Sequence, residues 1–317
     1  MKNGSNFVIY AALVGNMLVA GIKFVAAALT GSSSMLTEGV HSMVDTGNQV
    51  LLLYGHARSR RPPDHDNPLG HGRELYFWSF IVALLIFSLG AGISIYEGIL
   101  HIREPQPIER PIVNYIVLGL AAVFEGASWA FALREFNHKR GGKPVWQAVR
   151  DDKDPTTFIV LFEDSAAMIG IAIAAASIFA SVTLDLPVLD GVGSVLIGLV
   201  LAGTAVLLAR ETKGLLIGER ADDMIIADVH RLAAEQPGVI AVNGILSTQL
   251  GPNQIVVTLS LEFEDALLTP AIEDAVNGIE TRVRDTHKQV TALFVKPQTR
   301  AGYEKARKRL SESLTDA

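Results

Sequence analysis

The chain has 317 residues, of which 49% are hydrophobic and 19% are charged, whereas soluble domains carry about 25% charged residues. It contains no cysteine, which excludes disulfides, thiolate metal sites and cysteine nucleophiles. A net charge of −6 and the lack of a basic run give no indication of nucleic-acid binding. The composition therefore predicts a membrane protein with a soluble part.

Apolar stretches long enough to cross a bilayer, which takes about 20 helical residues, occur six times. We place the spans at 7–29, 33–55, 76–100, 112–133, 157–181 and 189–209. Lys and Arg gather in alternate loops, and the opposite loops carry only Arg103 and Arg110, each near a glutamate. The positive-inside rule then predicts that both termini are cytoplasmic. We expect an integral membrane protein in contact with lipid, with a bacterial inner membrane as the first choice.

The last third of the chain has the pattern of a small α/β domain. Its predicted elements are a helix at 222–236, strands at 239–250 and 254–263, a helix at 269–284 and a strand at 290–295. This order favours an open-faced sheet with two helices on one side. We therefore predict a six-helix transmembrane domain at 1–212, a cytoplasmic domain at 213–298 and a charged C-terminal tail, or frayed helix, at 299–317.

His41 and Asp45 lie in the second span, four residues apart. Residues at this spacing share one face of a helix, so the two side chains can reach one small cation together. Ionisable groups at bilayer depth usually face a bundle interior and mark an ion or proton path. The pair is the first candidate for half of a metal site.

Further acidic residues lie within the fourth and fifth spans. Glu163 and Asp164 are about 100° apart on a helix, so we expect at most one of them to face a given site, and the small residues that follow favour Asp164. Glu163 could instead accept a proton, pair with Lys23 or lie at another helix contact. Glu125, well inside the fourth span, is a candidate ligand or proton group, and Lys23 a candidate counter-charge.

These motifs resemble those of the cation diffusion facilitator family of metal transporters. The resemblance rests on Thr-Gly-Ser-Ser-Ser at 30–34, Glu-Gly-Val-His-Ser-Met-Val-Asp at 38–45, Pro-Leu-Gly-His-Gly-Arg at 68–73, Glu-Asp-Ser-Ala-Ala at 163–167 and Asp-Gly-Val-Gly-Ser at 190–194. It implies a multi-pass α-helical membrane protein with six transmembrane helices and a cytoplasmic α+β ferredoxin-like C-terminal domain. It also implies a homodimer that exchanges zinc or a similar divalent ion for protons.

Carried onto this sequence, the family's transport site gives His41, Asp45 and Asp164, but its fourth position is Val160. Zinc takes about four N or O ligands, so a site with three would need water or a substitute carboxylate. Glu125 is the first candidate and Glu163 the second. The pattern resembles a subgroup with Glu-Asp in the fifth span, and a site rich in carboxylates could admit Mn²⁺, Fe²⁺ or Co²⁺ as well as Zn²⁺.

Two family sites outside the spans match less well. His71 matches a ligand position in a cytoplasmic loop that also carries Asp64, although the spacing differs elsewhere. We expect no metal pair between soluble domains, and expect Val256, Leu259 and Leu261 to support dimerisation without one.

The predicted function is a divalent metal cation/proton antiporter that exports zinc or a similar ion from the cytoplasm, with no permanent cofactor. We do not expect an enzyme, since no His-Glu-x-x-His pattern and no nucleophile beside a clear base are present. The alternatives are an intramembrane metal-dependent enzyme and a metal-sensing or assembly membrane protein.

Overall fold

The computed structural model describes the backbone of residues 2–315 and the side chains of residues 13–309 and 312. The chain forms two compact units. The first comprises Met1–Arg58 with Glu74–Lys213, and the second Ser59–Arg73 with Gly214–Ala317.

The membrane part is built of long helices. In chain order they are α1 (Lys2–Thr30), α2 (Ser33–Ser59), α3 (Arg73–Leu85), a π-helical turn (Ile86–Ala91), α4 (Gly92–Arg103), α5 (Pro111–Arg140), α6 (Val145–Asp151), α7 (Pro155–Thr183) and α8 (Val188–Ile217). Within the described residues, five stretches are long and apolar enough to cross a membrane, with α3, the π turn and α4 counted as one. The sixth span is α2, which is 27 residues long but less apolar because it carries His41, Asp45 and Glu38. The six predicted spans are confirmed as helices.

Several helix ends have a local cause in the sequence. Pro111 and Pro155 occupy the first turns of α5 and α7. The missing N–H of proline costs no hydrogen bond there, because the first N–H groups of a helix have no partner within the helix. Asp154 caps α7, since its side chain accepts a hydrogen bond from the backbone N–H of Thr156 at 3.1 Å. Gly141 ends α5 in the left-handed conformation, with φ of 56°. Each helix extends past its predicted span because polar residues continue it beyond the apolar core.

Helices α4 and α8 approach each other through glycines. A Cβ atom added at Gly98 would lie 2.7 Å from the carbonyl oxygen of Gly191 and 2.8 Å from the backbone nitrogen of Val195. A Cβ at Gly191 would in turn lie 2.9 Å from the carbonyl oxygen of Gly98. Only glycine permits this separation, because the atoms in the way belong to the partner backbone.

Asp190, at the start of α8, binds the N-terminus of α2. One carboxylate oxygen, Oδ2, accepts from the backbone N–H groups of Ser33 at 2.6 Å and Ser34 at 3.4 Å. The other, Oδ1, accepts from the hydroxyl of Ser32 at 3.1 Å and from the hydroxyl of Ser34. The first N–H groups of a helix have no intrahelical partner, so a fully buried carboxylate satisfies them in place of water.

The second unit has the predicted order of elements. They are α9 (Asp223–Ala234), β1 (Val239–Gly251), β2 (Gln254–Phe263), α10 (Thr269–Thr286), β3 (Val290–Pro297) and α11 (Arg300–Thr315). The central strand, β2, pairs with β1 in antiparallel and with β3 in parallel orientation. The α-β-β-α-β order with α9 and α10 on one face fits a ferredoxin-like C-terminal domain.

Alternate residues of β2 form the core of that domain. Val257, Leu259 and Leu261 are almost completely buried together with Ile279 and Val283 of α10. The expectation that Leu259 and Leu261 support dimerisation is therefore wrong, since both side chains point into their own domain. Val256 lies on the opposite, half-buried face.

The opposite face of the sheet carries α11, in the segment predicted as a tail or frayed helix. Tyr303 packs over Gly244 of β1, and a Cβ atom at position 244 would overlap the tyrosine ring. Asn243 donates a hydrogen bond to the carbonyl oxygen of Gln298 at 2.9 Å, which fixes the start of this helix against β1.

Residues 59–73, which run from the last residue of α2 to the first residue of α3, belong to the second unit. Gly72 touches the end of β1, where an added Cβ would lie 2.7 Å from the carbonyl oxygen of Leu250. The soluble unit is therefore discontinuous in sequence, in contrast to the predicted domain at 213–298.

Candidate metal centre

His41 and Asp45 face each other on α2, as their spacing predicts. His41 Nε2 lies 3.4 Å from Asp45 Oδ2, and the His41 side chain is 2% exposed. The distance exceeds that of a strong hydrogen bond, and neither His41 Nε2 nor Asp45 Oδ1 has a hydrogen-bond partner in the described part of the chain. Both atoms can donate an electron pair to a cation.

A small cavity of about 50 Å³ lies beside this pair, between α1, α2, α5 and α7. One water needs roughly 10–15 Å³ on this measure, so the cavity can hold a metal ion with part of its hydration shell. Its acidic lining residues are Asp45, Glu125, Glu163 and Asp164. The fold thus gathers around one cavity the acidic candidates that lie on three different helices in the sequence.

Both acidic residues of α7 line the cavity. Asp164 Oδ2 accepts a hydrogen bond from the Ser128 hydroxyl at 2.8 Å, and Glu163 Oε1 accepts one from the Asn48 side-chain amide at 2.9 Å. The expectation that only one of them can face the site is wrong. The two residues are about 100° apart on the helix, but the longer glutamate side chain still reaches the cavity. Both residues therefore stay candidate metal ligands.

Glu125 lines the cavity from α5 and also forms a buried ion pair. Lys23 Nζ lies 2.8 Å from Glu125 Oε1 and 3.0 Å from Glu38 Oε2. Glu125 Oε2 has no hydrogen-bond partner among the described residues. Lys23 is thus a counter-charge, as one reading of the sequence proposed, but its partners are Glu38 and Glu125 instead of Glu163.

The polar residues that orient the acids were missed from the sequence. Ser42 lies four residues after Glu38 on α2 and accepts a hydrogen bond from Lys23, while Asn48 and Ser128 each donate to a cavity carboxylate. Only the spacing of Glu38 and Ser42 indicates such a role in the sequence. With Asp45, three residues after Ser42, they share one face of α2.

Val160 lines the cavity at the position where the family pattern has a ligand. Its hydrocarbon side chain cannot bind a metal. Among the described side chains, no three His, Asp or Glu residues are close enough to hold an ion together in this conformation. Ser128 binds only Oδ2 of Asp164 and Lys23 only Oε1 of Glu125, so the other oxygen of each carboxylate can still turn toward an ion.

A wider cavity of about 490 Å³ adjoins the small one. The two cavities share Gln49, Ser128 and Val160. The wider one continues past Glu135 to Asp154, where α5 ends and α7 begins. It extends from the acidic cavity to one end of the bundle.

The loop candidate His71 has one acidic neighbour. His71 Nε2 lies 3.3 Å from Asp64 Oδ2, and Asp64 accepts a hydrogen bond from the backbone N–H of Asn67 at 2.7 Å. That hydrogen bond holds the pKa of Asp64 below its usual range. Asp66 and His65, which lie in the same loop, are almost fully exposed. Two side chains are a weak basis for a metal site.

The helical bundle matches a known protein family. The model of the cation efflux transmembrane domain matches residues 9–217, about two thirds of the chain. The chain belongs to the cation efflux family. Membership in this family agrees with the expectation of an integral membrane protein.

Among related proteins of this family, the mitochondrial proton-coupled zinc antiporter SLC30A9 of Homo sapiens is 32% identical over 84% of this chain and 47% of its own length. Metal tolerance protein C4 of Arabidopsis thaliana is 33% identical over 81% of this chain and 57% of its own. The chain thus spans about half the length of these two relatives. Magnetosome protein MamB of Magnetospira sp. is 23% identical over 86% of this chain and 90% of its own length.

Proposed function

We propose that this protein exchanges a divalent metal ion, zinc or a similar one, for protons across a membrane. The observation that carries the proposal is the acidic cavity, where Asp45 and Glu125 each have a buried oxygen without a hydrogen-bond donor among the described residues. His41 Nε2, which also has no hydrogen-bond partner there, lies 3.4 Å from Asp45 Oδ2. Buried acceptors without donors are costly, and a cation in the cavity would satisfy them. The names of the human and plant relatives, a zinc antiporter and a metal tolerance protein, agree with this function.

The proposed ligands are His41, Asp45 and Asp164, with Glu125 as the first candidate for the fourth and Glu163 as the second. A site with one imidazole and three carboxylates is harder than a histidine-rich zinc site. Mn²⁺, Fe²⁺ and Co²⁺ therefore remain candidate substrates beside Zn²⁺.

Exchange for protons follows from the chemistry of these ligands. A metal ion binds neutral imidazole and ionised carboxylate, so its arrival displaces protons and protonation releases it. An inward proton gradient can thereby drive the metal outward. The family gives no indication of a chemical reaction, and no enzymatic step is needed.

The proposed orientation of the protein in the membrane rests on the distribution of charge. The wider cavity ends beside Lys139 and Asp154, at the end of the bundle whose loops are rich in Lys and Arg. By the positive-inside rule this end is cytoplasmic, and the acidic cavity is then open toward the cytoplasm. Both termini would be cytoplasmic, in a bacterial inner membrane, with the protein acting as a homodimer.

Transport in reconstituted vesicles tests the proposal. Purified protein is reconstituted, a pH gradient is imposed, and movement of Zn²⁺, Mn²⁺, Co²⁺ and Fe²⁺ is measured for the natural protein, His41→Ala and Asp45→Ala. His138→Ala, which changes an exposed histidine of α5, is the matched control. We expect gradient-driven transport of at least one ion by the natural protein and the control, and its loss in the two site variants. If no ion moves, or the site variants transport normally, the proposal is wrong.

Metal affinity identifies the fourth ligand. We expect Asp164→Asn to weaken binding, and Glu125→Gln to weaken it more than Glu163→Gln. Normal binding by Asp164→Asn would remove that residue from the site, and weakened binding by Glu163→Gln alone would reverse the order of the two glutamates.

A further inference from the structure

Lys23 is a fully buried lysine in the apolar helix α1. Its ammonium group donates three hydrogen bonds, to the Ser42 hydroxyl at 2.8 Å, to Glu125 Oε1 at 2.8 Å and to Glu38 Oε2 at 3.0 Å. An ammonium group has three protons, so all of them are used. A buried charge is tolerated only when it is paired and hydrogen-bonded in this way.

The two carboxylates of this cluster differ in what they face. Glu38 is completely buried, and its oxygen Oε1 lies against Gly170 of α7, where an added Cβ would overlap it. Glu125 is partly open and lines the acidic cavity, while one of its oxygens is bound to Lys23 and the other has no hydrogen-bond partner in the described structure. Glu125 therefore lies between a fixed cation on one side and a cavity suited to a cation on the other.

We propose that Lys23 determines the affinity of the site, because its ammonium group competes with the transported ion for Glu125. The inference rests on the proposed function and adds a role for a residue that binds no metal. In the empty site the ammonium group holds Glu125 and balances its charge. When a divalent ion enters, Glu125 is shared between two cations, and the repulsion between them weakens metal binding. Weak binding is useful in a transporter, since the ion must also leave.

Glu38 sets the strength of this competition. It is the second carboxylate on Lys23, and it draws the ammonium group toward α2 and away from Glu125. Without its negative charge, the attraction of Lys23 would fall on Glu125 alone. The two changes, loss of the lysine and loss of Glu38, therefore shift metal affinity in opposite directions.

A role of Lys23 in packing alone predicts a different result. If the cluster only joins α1, α2 and α5, its removal destabilises the protein and weakens metal binding whatever the residue at position 125. Competition predicts tighter binding that depends on Glu125. The sign of the effect and its dependence on Glu125 thus separate the two roles.

The experiment measures Zn²⁺ binding by the purified full chain in detergent, by competition with a fluorescent chelator. The first variant combines Lys23→Met with Glu38→Gln, so that the fully buried Glu38 is not left as a charge without its partner, while Glu125 keeps its access to the cavity. The second is Glu38→Gln alone, which is close to isosteric and keeps the lysine. Lys23→Arg, which keeps the charge, is the matched control, and each of the first two variants is also made together with Glu125→Gln.

We expect the combined variant to bind Zn²⁺ at least tenfold more tightly than the natural protein and to transport it more slowly, because release becomes harder. Glu38→Gln alone should bind at least threefold more weakly, and Lys23→Arg should stay within about threefold of the natural protein. Both shifts should disappear when residue 125 is glutamine. If the combined variant does not fold, the Glu38→Gln measurement decides alone.

Unchanged affinity in both variants, weaker binding in the combined variant, or shifts that persist with glutamine at 125 would overturn the inference. Failure of the proposed function is recognised separately. In that case the natural protein does not bind Zn²⁺ or another divalent ion through His41 and Asp45. If the natural protein binds and transports through these residues while the Lys23 and Glu38 variants do not differ from it, only the inference about Lys23 fails.

Discussion

Replacement of Asp190 by alanine should weaken the bundle strongly. This carboxylate accepts from the backbone N–H groups of Ser33 and Ser34, which cannot turn toward another acceptor because they belong to the first turn of α2. A buried donor left without a partner costs about 1–3 kcal/mol, so two of them lower the free energy of unfolding by about 2–6 kcal/mol. The hydroxyls of Ser32 and Ser34 lie 3.2 Å apart and can bond to each other, so they add little.

Asp190→Asn should be much milder. Both backbone N–H groups bind the same oxygen, Oδ2, so an amide oxygen in that place keeps both bonds. The amide NH₂ then takes the place of Oδ1 and can donate to the serine hydroxyls. Only the assistance of the charge is lost, and we expect a cost of about 1–2 kcal/mol.

Chemical unfolding in mixed micelles measures both variants, with tryptophan fluorescence from α3, α5 and α6 as the signal. Glu104→Ala, which removes an exposed carboxylate after α4, is the control and should stay within about 0.5 kcal/mol of the natural protein. Equal losses for Asp190→Asn and Asp190→Ala, or a loss below about 1 kcal/mol for Asp190→Ala, would refute this account of the two oxygens.

Three further predictions concern packing and pH. Gly98→Ala should lower the unfolding midpoint in detergent, with a cost of about 1–3 kcal/mol, because the added methyl overlaps the backbone of α8, whereas Gly119→Ala, with open space around it, should not. Gly244→Ala should displace α11 from the sheet and increase its hydrogen exchange, and Tyr303→Ala in the same chain should reverse part of the loss in stability that Gly244→Ala causes. The hydrogen bond from Arg231 holds the pKa of Asp228 below its usual range, so this carboxylate stabilises the second unit above about pH 4 and loses that effect as the pH falls further. Asp228→Asn should flatten the pH dependence of unfolding in that window, and an unchanged dependence would contradict the assignment.

The sequence predicts the elements of both units well, because their signals are local. Apolar length marks the spans, and alternation with Gly-Pro-Asn at 251–253 marks the hairpin of β1 and β2. The short helix α6 and the π-helical turn were not predicted, since neither has a distinct apolar period. The helix α11 is highly charged, and its contact with β1 comes from Tyr303 above Gly244 and from the hydrogen bond of Asn243 to Gln298, which no local sequence pattern indicates.

The candidate site is predictable only in part. The spacing of His41 and Asp45 places them together, since the contact lies within one helix. The pairing of Lys23 with Glu125 could not be predicted from spacing, because the two residues are 102 positions apart and several other acidic residues are possible partners in the sequence. The orientation of Glu163 depends on Asn48, 115 residues earlier, which no local pattern indicates.

The division of the chain into two units determines which fragments of the protein contain a complete second unit. The soluble unit takes in Ser59–Arg73 as well as Gly214–Ala317, so the polypeptide passes three times between the two units. A fragment that begins at Gly214 would lack the segment around Gly72 that covers the end of β1. Such a fragment is an incomplete domain, and a faithful excision needs residues 59–73 joined to it by a linker, as in a circular permutant.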